Sequence, residues 1–132
     1  MAKHGVSRQA FDDEAVRLRQ AIAVQQSLYA VGRPRSEVQN RTVVLAEDTI
    51  VTGATARVAA RALYKEFASR VVIAAPVAVA AAAAVLKDEC DELVVLAEVD
   101  SIDDVGLSYA DFHPVTDTEA VRCMRTVPAP HL

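Results

Sequence analysis

Cysteine is scarce in this chain of 132 residues, which contains only Cys90 and Cys123. The two lie far apart, whereas the cysteines of a zinc site come in close pairs. The histidines, at positions 4, 113 and 131, are scattered as well, and no Ser-His-Asp or Cys-His set is recognisable. The composition therefore argues against a zinc centre and a triad-type hydrolase, and we expect both cysteines to be buried thiols.

An excess of positive charge is missing too. The chain has 14 basic against 18 acidic residues and a formal net charge of -4, so neither nucleic acid nor a membrane is an expected partner. The longest apolar stretch, residues 71–86, contains Pro76 and falls short of the about 20 residues that a membrane-spanning helix needs. The start of the chain has no apolar signal core, which predicts a cytoplasmic protein without disulfides.

Strand and helix patterns alternate through the middle of the chain. Apolar runs rich in β-branched residues predict buried strands over Thr42–Ala46, 70–75 and 93–96. Helical patterns lie between them over 54–67 and 77–87, and Pro76 predicts the end of the second strand. This alternation is typical of a parallel sheet built from right-handed crossovers, which makes the expected fold class α/β.

A long helix is predicted before this pattern, over residues 7–29, with Ser7 as its cap. Its apolar side chains recur every three to four residues and form one stripe, consisting of Phe11, Ala15, Leu18, Ile22 and Tyr29. Such a stripe requires a partner surface, either the sheet of the same chain or another chain. Near the other end, a capping box from Thr116 to Glu119 predicts a short last helix.

The most informative stretch follows the first predicted strand. Two acids, Glu47 and Asp48, come directly after it, and a turn and a helix follow over Thr49, Ile50, Val51, Thr52, Gly53, Ala54 and Thr55. Backbone N–H groups at a helix N-terminus attract phosphate, and threonine hydroxyls add donors. Two carboxylates at a strand end accept hydrogen bonds from sugar hydroxyls or hold Mg²⁺. The alternative is a plain strand-to-helix turn with solvated acids.

This order and spacing resemble the phosphoribosyl pyrophosphate motif of type I phosphoribosyltransferases. The resemblance implies that Glu47 and Asp48 are catalytic residues that bind the ribose 2′- and 3′-hydroxyls, with Mg²⁺ held through the ligand. It further implies that residues 49–55 bind the ribose 5-phosphate of phosphoribosyl pyrophosphate or of a nucleoside monophosphate. It also implies a truncated, Rossmann-like fold, three-layered α/β/α with a short parallel sheet and a long N-terminal helix.

Aromatic side chains gather in the segment after the third predicted strand. The resembled family receives its acceptor base in this region, so Tyr109 and Phe112 are candidates for stacking on a base. The alternative is a loop that packs its aromatic rings on its own core. We expect one domain over residues 1–132, made of an N-terminal helix (7–30), an αβ core (41–97) and a C-terminal loop with a short helix (98–132).

One part of the resembled family has no counterpart in this sequence, namely the earlier strand-loop-helix unit whose loop binds pyrophosphate. The resemblance therefore implies a phosphoribosyltransferase-like protein whose transferase activity is weak, lost or completed by another chain. The alternative is a degenerate scaffold that acts in assembly or regulation. With only three predicted strands, the motif strand would lie at a sheet edge with poorly covered apolar side chains, so we expect a homodimer or higher homo-oligomer.

Overall fold

The computed structural model describes residues 5–30 and 36–126. They form two compact units, one from the terminal segments Met1–Arg35 and Pro114–Leu132 and one from Ser36–His113. The single domain over residues 1–132 stays a prediction. Among the described residues, no helix combines the length and the apolar character that crossing a membrane requires.

The elements follow the predicted alternation of helix and strand. In chain order they are α1 Arg8–Ala30, β1 Thr42–Ala46, β2 Thr49–Ile50, α2 Ala54–Lys65, β3 Arg70–Val79, α3 Ala80–Leu86, β4 Glu92–Val99 and α4 Asp117–Thr126. Two short 3-10 turns, Ile102–Asp104 and Gly106–Ser108, lie between β4 and α4. The expected α/β class is confirmed, and β2 is a strand that the sequence did not predict.

The helical unit consists of α1 and α4. The predicted caps are present, because Ser7 Oγ accepts a hydrogen bond from the Ala10 amide at 3.1 Å and Thr116 Oγ1 accepts one from the Glu119 amide at 3.3 Å. The Tyr29 hydroxyl donates to Asp117 Oδ1 at 2.6 Å, which ties α1 to α4. Much of the apolar stripe of α1 stays open to solvent, and Phe11, Leu18 and Ile22 are each about half exposed.

The sheet unit is organised around β3. Strands β1 and β2 pair with β3, and so does β4, all in parallel. Ala78 of β3 pairs with both Ile50 and Glu98, so β2 and β4 must lie on opposite sides of β3. Among the described residues β1 pairs with β3 alone, which confirms that the motif strand is an edge strand.

The two faces of the sheet differ in burial. One face packs against α2 and α3, and its Val71 and Ile73 are fully buried together with Leu86 of α3. Side chains alternate along a strand, so the intervening residues belong to the other face. We call it the open sheet face, and it consists of Val44, Ala46, Ala74, Pro76, Val94 and Leu96. Within it Val44 is 60% exposed and Leu96 83% exposed, which is unusual for apolar side chains of a parallel sheet.

Pro76 does not end its strand, so that prediction is wrong. Strand β3 continues through Pro76 to Val79, and α3 begins only at Ala80. The pairs Ala46↔Ala74 and Thr49↔Val77 place Pro76 opposite Asp48. Proline has no N–H to donate, so the ladder has a gap at this position. The gap separates β1 from β2 and leaves two residues, Glu47 and Asp48, between them.

Candidate functional site

The two acids of the motif lie at this ladder gap. The Glu47 amide still donates to the Ala74 carbonyl at 3.0 Å, whereas Asp48 faces the proline across the gap. Glu47 is half-buried and Asp48 is exposed. The acid pair thus interrupts an edge strand, held on one side by β1 and on the other by the short β2.

The surroundings of Glu47 affect its ionisation. Burial, and to a smaller extent the neighbouring charge of Asp48, raises the pKa of the Glu47 carboxyl above its ordinary value. A raised pKa means that the ionised carboxylate is disfavoured in the fold. A cation or a set of hydroxyl donors at this position would stabilise the ionised carboxylate.

We expect Glu47→Gln to raise the free energy of unfolding at neutral pH. An acid with a raised pKa stabilises the fold fully below its unfolded pKa, here about 4.5, and loses that contribution as pH rises through the folded pKa. The gain from Glu47→Gln should therefore be absent below about pH 4 and present at pH 7. Urea unfolding across this pH range measures it, with the exposed Glu37→Gln as control. A gain that does not change with pH would contradict the prediction.

The turn after the acids leads into α2 without a side-chain cap. Gly53 is the N-cap residue, with φ +69°, and the first helical bond runs from the Arg57 amide to the Gly53 carbonyl at 2.9 Å. The Thr52 hydroxyl accepts a bond from the Ala54 amide at 3.3 Å. The amides of Thr55 and Ala56 precede the first helical donor, so the helix itself offers them no acceptor. Within the described part of the chain these two N–H groups have no hydrogen-bond acceptor, and such groups at a positive helix end are suited to an anion.

The spacer between the acids and the turn is partly structural. Ile50 is fully buried in the core, so a ligand could meet only its backbone. Thr49 has a buried hydroxyl without a hydrogen-bond partner among the described residues. Val51 is half-buried, and Thr52, Ala54 and Thr55 are exposed. The structure therefore brings the acids, the hydroxyls and the free amides together on one short segment.

The aromatic segment reaches the acid pair directly. The Tyr109 hydroxyl donates to the backbone carbonyl of Asp48, a contact that links residues 61 positions apart. The Tyr109 ring stacks on Phe112, with 4.9 Å between ring centroids and 30° between the planes. Phe112 is 50% exposed, so this ring is not packed into the core. Nothing in the sequence pattern predicted the contact between Tyr109 and Asp48.

Metal ligands are few around this site. In residues 5–30 and 36–126, no three or more His, Cys, Asp or Glu side chains gather into a group that could hold a metal ion. Cys90 is half-buried, its thiol donates to the Leu86 and Glu92 carbonyls, and burial raises its pKa. Cys123 is exposed, so the expectation of two buried thiols is wrong for this residue.

Each unit has a surface depression of about 400 Å³. The first lies on the open sheet face beside Glu47 and is lined otherwise by apolar residues, among them Ala74, Pro76 and Leu96. The other lies in the helical unit, and its acid, Asp117, is already bonded to Tyr29. Only the depression in the sheet unit contains a residue of the predicted motif.

Comparison with known proteins gives relatives over most of the chain. No family model matches. Over 110 residues the chain is 33% identical to a Mycobacterium tuberculosis protein named "Putative phosphoribosyl transferase", with the same values in two strains. The match includes 82% of this chain and 25% of the relatives, so the chain spans about a quarter of their length.

A solved structure has a fold similar to that of this chain. The crystal structure of TT1426 from Thermus thermophilus superimposes with a TM-score of 0.77 and 32% identity. The match includes 90% of this chain and 57% of that chain. The α/β fold with its parallel sheet is therefore shared with a known structure. The names of the Mycobacterium tuberculosis relatives support a phosphoribosyltransferase-like protein.

Proposed function

We propose that this protein binds phosphoribosyl pyrophosphate or a nucleoside 5′-phosphate through Glu47, Asp48 and the turn from Thr52 to Thr55, as type I phosphoribosyltransferases do. One observation carries the proposal. An acid pair in which burial raises the pKa of the Glu47 carboxyl is followed, after the three-residue spacer 49–51, by the turn that opens α2. A sugar phosphate has hydroxyl donors at one end and an anion at the other, which is the complement of this arrangement.

The acid pair would take the ribose. Ionised carboxylates are acceptors only, and ribose hydroxyls are the donors that they require. Oxygen ligands of this type are also the ones that Mg²⁺ prefers, and Mg²⁺ usually completes its shell with substrate oxygens. Glu47 and Asp48 would hold such an ion through the ligand, where it would supply positive charge near the pyrophosphate. The next residue, Thr49, has a buried hydroxyl that finds no hydrogen-bond partner in the described part of the chain.

Transfer of the ribose group requires catalytic groups that the segment 47–55 does not contain. The departure of pyrophosphate requires positive charge or backbone donors at the leaving group. Glu47 and Asp48 orient a sugar but bring only negative charge. We therefore infer that ligand binding belongs to the acid pair and the turn, and that transferase activity depends on groups elsewhere. A cytoplasmic location, as the sequence predicts, belongs to the same proposal.

Calorimetric titration with phosphoribosyl pyrophosphate and Mg²⁺, and then with nucleoside monophosphates, tests the binding proposal. We expect saturable heat below millimolar ligand. Ribose 5-phosphate should bind more tightly than 2-deoxyribose 5-phosphate, because the 2-hydroxyl is one of the proposed partners of the acids. We call the ratio of these two affinities the ribose preference. Absence of heat at millimolar ligand would contradict binding. A ribose preference of one would show that Glu47 and Asp48 do not bind the 2-hydroxyl.

A second candidate function, a scaffold that acts in assembly, is favoured by the uncovered apolar surfaces. Strand β1 is an edge strand, and Val44 and Leu96 on the open sheet face are largely exposed. Exposed apolar edges and patches are surfaces that natural proteins cover or pair. We infer that two or more copies of the chain associate over this surface, which is compatible with ligand binding as well as with a purely structural role.

Light scattering over a dilution series is expected to give a mass of at least twice 14.1 kDa at micromolar concentration. The substitution Leu96→Glu should shift the chain to the monomer, because it places a charge in the apolar surface that a second copy would cover. Val58→Glu is the matched control, since Val58 is 68% exposed on α2 and not part of the open sheet face. A wild-type monomer that unfolds cooperatively would contradict association.

A further inference from the structure

The backbone of Asp48 depends on a residue far away in the sequence. Its position in the sheet faces Pro76, which cannot donate a hydrogen bond to the ladder. The Tyr109 hydroxyl donates to the Asp48 carbonyl, whereas the acceptor opposite the missing proline N–H is the Glu47 carbonyl. Tyr109 is half-buried, and Val105 of the same segment is only 3% exposed. Burial of Val105 therefore anchors this segment independently of the bond from Tyr109 to Asp48.

We propose that Tyr109 is a positioning residue for the acid pair. Its hydroxyl holds the peptide unit between Asp48 and Thr49 at the point where the ladder is interrupted, and so fixes the direction of the Asp48 carboxylate. The proposal rests on the proposed function in one respect, namely that the carboxylate is aimed at a ribose hydroxyl. Tyr109 itself does not touch the sugar; it acts through the backbone of Asp48.

The stack with Phe112 gives this hydroxyl a defined direction. A tyrosine on an open loop would lose side-chain freedom when it binds a carbonyl, and that loss offsets much of the gain. The ring of Phe112, 4.9 Å away, restricts Tyr109 before any ligand arrives. The aromatic pair and the acid pair therefore form one connected unit, in which Phe112 restricts Tyr109 and Tyr109 restricts Asp48.

The test uses Tyr109→Phe, which removes the hydroxyl and keeps the stacked ring. Tyr64→Phe is the matched control, because the Tyr64 hydroxyl donates to Asp91 Oδ2 at 2.7 Å, outside the motif. Amide hydrogen exchange is measured by NMR in the ligand-free proteins. We expect exchange at Thr49 and Ile50 to accelerate several-fold in Tyr109→Phe and to remain unchanged in Tyr64→Phe. Phe112→Leu, which keeps the hydroxyl and removes the stack, should give an intermediate acceleration.

Ligand affinity supplies the second measurement. Tyr109→Phe should weaken ribose 5-phosphate binding by about fivefold, the usual scale of one hydrogen bond, and leave 2-deoxyribose 5-phosphate within about twofold of wild type. The ribose preference thus falls, which a general loss of stability would not cause. Equal exchange at Thr49 in the two tyrosine variants overturns the proposal, and so does an unchanged ribose preference in Tyr109→Phe. If wild type binds neither sugar phosphate, the proposed function fails and the exchange rates alone decide whether Tyr109 holds Asp48.

Discussion

Gly53→Ala is expected to lower the free energy of unfolding by about 2–5 kcal/mol. Two separate effects add. The backbone at Gly53 has φ +69°, which costs a residue with a Cβ roughly 1–2 kcal/mol. A Cβ at this position would also meet three carbons of the Leu86 side chain at 3.0–3.3 Å. Leu86 is only 1% exposed and has little room to withdraw, so overpacking should add about 1–3 kcal/mol.

Two other glycines separate these effects. Gly5 has nearly the same backbone angle, φ +66°, and nothing within 4 Å of a new Cβ, so Gly5→Ala reports the backbone cost alone. Gly106 has open space and no positive φ, so Gly106→Ala should change stability by less than about 0.5 kcal/mol. Urea unfolding of the three variants measures the series. A loss for Gly53→Ala no larger than that for Gly5→Ala would show that the contact with Leu86 is relieved without cost.

Leu86→Val gives an independent test of the contact. In wild type this substitution removes core volume and should destabilise the protein. In the Gly53→Ala background it also removes carbons that the new Cβ meets, so its cost should be smaller by at least about 0.5 kcal/mol, the usual lower limit for coupled neighbours. Strictly additive effects would contradict a direct contact between the two positions.

Asp48→Asn and Thr52→Val are expected to remove different parts of ligand binding. A hydrogen bond to a charged group contributes about 1.5–3 kcal/mol, so Asp48→Asn should weaken ribose 5-phosphate binding by roughly ten- to a hundredfold. The same variant should bind 2-deoxyribose 5-phosphate almost as wild type does. Thr52→Val removes a hydroxyl proposed to face the phosphate, so both sugar phosphates should lose affinity by about tenfold or more.

Matched substitutions control for charge and shape. Asp88→Asn removes an exposed carboxylate beyond the end of α3, and Thr42→Val removes an exposed hydroxyl from β1. Neither residue belongs to the motif, so both variants should bind like wild type. Calorimetry with the two sugar phosphates gives all the affinities. If Asp48→Asn lowered the affinity for both sugar phosphates equally, the acid pair would not bind the 2-hydroxyl of the ribose.

Local patterns in the sequence predicted the elements that frame the site. The β-branched run ending at Ala46 is a strand with the predicted bounds, and α2 begins at Ala54, directly after the glycine of the turn. These features depend on a few neighbouring residues only, through the apolar periodicity and the ability of glycine to adopt a positive φ. The capping box at Thr116 and Glu119 was predictable for the same reason.

Features that depend on distant residues were not predictable in this way. Proline in a central strand is rare, which is why Pro76 predicted a strand end. The sheet accepts Pro76 because the neighbouring strand is itself interrupted, at Glu47 and Asp48, opposite the proline. The bond from Tyr109 to the Asp48 carbonyl joins positions 61 residues apart, and no spacing rule in a single sequence describes such a contact. The sequence also predicts a loop at 32–36, from its glycine and proline, and a loose tail at 127–132. The loop lies mainly, and the tail entirely, outside the described residues.

The division of the chain also has a consequence for its synthesis on the ribosome. The helical unit is discontinuous in sequence, since its two parts, Met1–Arg35 and Pro114–Leu132, flank the whole of Ser36–His113. At about 5–20 residues per second, α1 therefore emerges roughly 4–16 s before its partner α4. During that interval Tyr29 has no Asp117 to bind, and the residues of the sheet unit are synthesised, so that they are complete before α4 is made. We therefore expect the sheet unit to fold before the helical unit, because α1 lacks its partner α4 until translation has passed the sheet.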